Sequence, residues 1–155
     1  MTVWGAPLAV HILLAIHILC AVVWVGGMFF AYLVLRPSLA VLEAQQRLLL
    51  HTQIFRRFFL VIWHAMPLIL LTGFAVLFGE YGGPAAAPWN VQVMMGLGII
   101  MSVVFVVIVF GPYARFRRTT DRARMAANID AIRKLIGLNL ILGLITVFVA
   151  ALSQF

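Results

Sequence analysis

The sequence predicts an all-α integral membrane protein, a four-helix transmembrane bundle with an N-out/C-out arrangement and a single domain over residues 1–155. Three observations predict it. Hydrophobic residues make up 65% of the chain and charged residues only 10%, more apolar surface than water would tolerate around a domain of this size. Four apolar segments approach the ~20 residues that a spanning helix needs. The 11 Lys and Arg residues all fall in two of the three connections between those segments.

The first span covers about residues 8–35 and carries the most chemistry. Within it lie His11, His17, Cys20, Trp24 and the pair Gly26–Gly27. An ionisable side chain at membrane depth costs about 2–3 kcal/mol, so it faces a bundle interior and marks a functional position. His17, Ala21, Trp24 and Met28 recur at helical spacing and form one stripe. His11 is turned about 120° from His17 in an ideal helix and lies near the outer surface, so the two do not readily hold one atom. Cys20 reads as a small core residue. The N-terminus lacks the basic region and cleavage site of a signal peptide, and the first apolar run reads as a retained helix.

The second span covers about residues 58–78. His64 follows Trp63 and precedes Pro67. A proline removes a donor from the helix ladder and can kink it beside the histidine. By rise per residue, His17 sits ~14 Å from the outer end of its helix and His64 ~9 Å from the inner end of its own. One centre bound by both therefore demands tilt or a kink at Pro67. The third span, about residues 91–112, places Met94, Gly98, Met101 and Phe105 on one face. Thioether sulfur suits copper(I) or an axial position on haem iron; flexible core filling is the plainer role. The fourth span, about residues 135–152, carries a small polar stripe of Asn139, Gly143, Thr146 and Ala150 that suits packing and hydrogen bonding across helices.

The connections set the expected orientation. Residues 36–57 carry Arg36, Arg47, Arg56 and Arg57. Residues 115–134 carry six arginines and Lys134, and residues 79–89 carry no cation. The positive-inside rule puts both basic loops in the cytoplasm and the termini outside, in a multi-pass protein of the bacterial inner (cytoplasmic) membrane. Residues 44–55 and 121–134 read as helical, either extending the spans or lying in the headgroup region. The net charge of +7 is placed as a topology signal and argues against a nucleic-acid partner. Trp4, Tyr32, Trp89 and Tyr113 fall near the expected interfaces. No phosphate loop, zinc spacing or paired-carboxylate site is present, and the four acids lie outside the spans, which disfavours a carboxylate-based proton pump or cation channel.

The stretch HILCAVVWVGG at His17–Gly27 resembles the H-x6-W-x2-G signature of the copper-resistance protein D superfamily (CopD), to which HemJ-type protoporphyrinogen IX oxidases are related. The resemblance continues through LRP at 35–37, RRF at 56–58, LLTG at 70–73 and WNVQVMMGL at 89–97. It implies a four-helix membrane core with a haem or metal centre at His17. Relatives of the HemJ type carry a lysine where this chain has Met94, a departure that replaces a basic group by a neutral thioether.

The leading functional reading from sequence is a small b-type haem protein with a redox role. It would transfer electrons or oxidise a lipophilic reductant such as a quinol or porphyrinogen, which leaves open a haem-dependent oxidoreductase. Its cofactor-binding residues are His17, His64, Trp24, Met101 and Arg57, the arginine meeting propionates. The alternative is a copper-binding or copper-transport protein using His17, Met94 and Met101, with His11, as ligands along a path; the metal-ligand candidates across both readings are His17, His64, Met94 and His11. Both readings place the chain in the lipid bilayer, the first with a lipophilic electron donor or acceptor, and both allow a homodimer.

Overall fold

The computed structural model describes residues 8–152. Trp4 lies outside them. Four helices are long and apolar enough to cross a membrane: α1 (Leu8–Val41), α2 (Ala44–Tyr81), α3 (Trp89–Arg118) and α4 (Arg122–Leu152). In hydrocarbon every backbone donor must find its acceptor within the segment, which makes helices the only way to lay these sequences across a bilayer without a closed barrel.

All four helices outrun the expected spans. The 38 residues of α2 rise ~57 Å at 1.5 Å each, against a hydrocarbon core of ~30 Å. The basic stretches are helical continuations of the spans. On α4, Asp130 pairs with Arg133 and, at 2.9 Å, with Lys134, neighbours one turn along the same face. The turn between α2 and α3 is set by Gly82 and Gly83, at φ +72° and +132°. Gly82 takes the left-handed cap position and donates to Phe78 O at 3.2 Å.

The two odd helices widen before leaving the bundle. Phe30–Leu35 of α1 and Val109–Tyr113 of α3 form π-turns. Proline explains both locations: Pro37 follows the first and Pro112 lies within the second, and a ring without an N–H disrupts the regular ladder. Each widened turn presents a tyrosine over which an arginine lies, Arg36 over Tyr32 and Arg117 over Tyr113, both at 5.8 Å. By contrast α2 runs unbroken through Pro67.

α1 packs along α2, and α3 along α4. The two pairs close on a shared core of Trp24 and Met28 from α1, Phe55, Phe59 and Ile62 from α2, Met101, Phe105 and Ile108 from α3, and Ile132, Ile136 and Leu140 from α4. Most of this core lies in the half of the bundle nearer the arginines. Aromatic edges lock it: Trp24 meets Phe105 at 6.1 Å and Phe59 meets Tyr113 at 4.6 Å between ring centres, in the tilted and edge-on arrangements that ring quadrupoles favour. A glycine permits the closest approach of α4. A Cβ at Gly143 would stand 2.9 Å from Val25 Cγ2 and 3.2 Å from Met101 Cε.

Candidate functional site

His17 faces α2. Its Nδ1 lies 2.9 Å from Ile69 O and 3.2 Å from Thr72 Oγ1. A carbonyl oxygen only accepts, so Nδ1 carries the proton and donates. The Thr72 hydroxyl spends its own hydrogen on Leu68 O at 2.6 Å, which leaves its oxygen free to accept from the histidine. The consequence is chemical. With the proton held on Nδ1, Nε2 keeps its lone pair, and it takes no hydrogen-bond partner among the described residues. A backbone carbonyl that fixes the tautomer in this way is the usual support behind a metal-binding imidazole.

The seat for this ring is cut from α2. A Cβ at Gly73 would stand 2.9 Å from His17 Cε1 and 3.3 Å from Nδ1. Glycine at 73 is what lets the imidazole lie close enough to reach two acceptors. The stretch LLTG at 70–73 therefore contains both the hydroxyl partner and the seat. In the sequence it registers only as part of a family pattern; nothing in its spacing announces a histidine from another helix.

The Trp24–Phe105 contact sets the level of α3 against His17. α1 and α3 run in the same direction, so seven residues back from each contact residue, ~10 Å along the axis, come His17 and Gly98. Seven residues are nearly two turns, so both return to the inward face. A Cβ built on Gly98 meets nothing within 4 Å, which leaves room at the level of His17. Met101 lies about one turn inward of Gly98 and Met94 about one turn outward. Met101 is buried, with its sulfur 4.0 Å from the Thr146 hydroxyl of α4; Met94 is half-buried.

The remaining candidates fall as follows. Trp24 is 2% exposed and belongs to the core, about two turns inward of His17 on the same face. His11 is half-buried. Arg57 is exposed. His64 is exposed and its Nδ1 donates to Leu60 O of its own helix at 2.8 Å. The inward face of α2 runs through Phe59, Ile62, Ala65 and Thr72, and residue 64 is turned about 200° from Ile62. The structure does not bring His64 to His17: its ring lies exposed on α2 and bonds its own helix. Among the described residues no three of His, Cys, Asp and Glu gather as a metal cluster, so any soft-metal site here rests on the imidazole and thioethers.

Asn139 of α4 adds a polar group to the interior. It is 1% exposed, and its Oδ1 is buried without a hydrogen-bond partner. It shares the inward face of α4 with Gly143, as the small polar stripe predicts.

The profile of one protein family, described as Copper resistance protein D, matches residues 52–153, about two thirds of the chain. No curated protein and no solved structure matches it.

Proposed function

Because the chain belongs to the copper resistance protein D family and is built from four membrane-spanning helices, we propose that it is a copper-handling protein of the bacterial cytoplasmic membrane, with its basic helix ends in the cytoplasm. The observation that carries this reading is the His17 proton held on Nδ1 by Ile69 O. It leaves one basic nitrogen lone pair at the depth of Gly98 on α3, a face that carries Met101 about one turn inward and Met94 about one turn outward. Imidazole and thioether together suit copper(I), a soft ion that favours such donors. In this reading copper is cargo. His17 Nε2 offers the nitrogen, Met94 and Met101 offer sulfur, and Thr72 and Ile69 hold the imidazole in the tautomer that binds.

Haem b gains less from the geometry. A second imidazole from His64 would have to come from the opposite face of α2, and Arg57 is not drawn toward His17. The observations favour the donor set on α1 and α3.

The test is a copper(I) competition titration of the purified chain against a chromophoric chelator, with a reduced-minus-oxidised visible spectrum on the same sample. Copper binding is expected, weakened at least about tenfold by His17→Gln or Met101→Leu and unchanged by His64→Gln. Loss of a support to a ligand already costs 10–100-fold. Haem bands in the spectrum, or copper affinity indifferent to His17→Gln, would overturn the proposal.

A further inference from the structure

A second site lies at the basic end of the bundle, far from His17. There a pocket of about 440 Å³ is lined by Arg115, Arg118, Thr119, Arg124 and Asn128. Two features make it more than a charged surface. Arg115 and Arg118 stand three residues apart on the last helical turns of α3, so they share a face, and Arg124 comes from the start of α4 across the connection. The cations of two helices thus converge on one open, solvent-exposed pocket. The neighbouring basic residue Arg117 is turned away, lying over the Tyr113 ring at 5.8 Å.

The charges in this pocket are undercompensated. The nearest carboxylate, Asp121, meets Arg124 at 3.6 Å with both side chains largely exposed, and water screens such a pair. Its Oδ1 is also engaged as the cap of α4, accepting from Ala123 N at 2.9 Å. Arg115 and Arg118 form no ion pair among the described residues. Three guanidiniums less one carboxylate leave about two positive charges around the pocket. The Thr119 hydroxyl accepts from Asp121 N at 3.3 Å, so its own hydrogen remains available to donate. Guanidinium forks bind the oxygens of a phosphate in pairs, with more specificity than a lysine point charge.

We propose that this pocket binds a phosphate group, borne either by an anionic phospholipid headgroup or by a soluble phosphate. Its position favours the lipid source. The pocket begins two residues beyond Tyr113, an aromatic of the kind that marks the membrane interface, which is where headgroup phosphates lie. Bound there, a phosphate would bridge the ends of α3 and α4 and neutralise their repulsion.

The experiment uses the full chain in nanodiscs. In one arm the discs mix phosphatidylcholine and phosphatidylglycerol, and native mass spectrometry counts the anionic lipid retained by the released protein. In the other arm the discs hold phosphatidylcholine alone, and 31P NMR follows inorganic phosphate. The variant is Arg115→Gln/Arg118→Gln. The control, Arg56→Gln/Arg117→Gln, removes the same charge outside the pocket. Retention of phosphatidylglycerol is expected to fall at least about tenfold in the variant and to persist in the control, since each charged hydrogen bond lost is worth a factor of ten or more. Arginine-dependent binding of inorganic phosphate without lipid retention would assign the site to a soluble phosphate. No binding in either arm, or equal loss in the control, would overturn the proposal.

Discussion

The seat of His17 gives the sharpest prediction. In Gly73→Ala the added methyl carbon falls 2.9 Å from His17 Cε1, whereas carbon atoms settle at about 3.5–4.0 Å. The ring must retreat by about 0.6 Å or more. Its Nδ1 now sits 2.9 Å from Ile69 O and 3.2 Å from Thr72 Oγ1; a retreat of that size carries both beyond about 3.2–3.5 Å, where a hydrogen bond fades. The direct loss is ~1 kcal/mol for each of the two bonds, about half of it offset by the ~1 kcal/mol by which alanine outranks glycine in a helix. The net change in global stability is therefore only about 1 kcal/mol. The imidazole, however, loses the group that fixes its tautomer, and copper(I) affinity is expected to fall 10–100-fold. Gly26→Ala on α1 is the control, because its Cβ meets nothing within 4 Å. The assay is the chelator competition titration, paired with a thermal unfolding curve in detergent. Copper affinity equal to that of the unmodified chain, in a Gly73→Ala protein that unfolds normally, would refute the link from seat to tautomer to ligand.

Two further outcomes follow from packing and topology. Gly143→Ala places a methyl 2.9 Å from Val25 Cγ2 and 3.2 Å from Met101 Cε, an overpacking worth ~1–3 kcal/mol; a lowered unfolding temperature in detergent is expected, and an unchanged one would show that α4 can slide. If the basic ends are cytoplasmic, a Cys20→Ser background carrying Ala86→Cys is labelled by an impermeant maleimide on intact cells. One carrying Thr120→Cys is labelled only after lysis, and the reverse pattern would invert the proposed orientation.

Several features of the fold are legible without coordinates. Four apolar runs too rich for water, and a solvent that offers no hydrogen bonds, leave helices as the only outcome. The inward stripes on α1, α3 and α4 follow from helical period, and Trp24, Met28, Met101, Phe105 and Asn139 are all buried as that period requires. The lengths of the helices are less legible, because nothing in a polar amphipathic stretch such as residues 44–55 distinguishes a continuation from a separate helix.

By itself the sequence determined that this chain lives in a bilayer as four helices, that a histidine rides within the first, and that the cations gather at one end. Only the tertiary structure decided what that histidine does with its proton. The partners come from 52 and 55 residues away, on a helix whose facing side depends on how α1 and α2 settle together. The same holds for His64: its rotation about α2 relative to Phe59 and Ile62 turns it outward, and no spacing within its own helix reveals which side its neighbours will occupy. Helical period orders residues around one axis. The choice of which side meets which neighbour belongs to packing, where a missing methyl at Gly73 or Gly143 selects the approach.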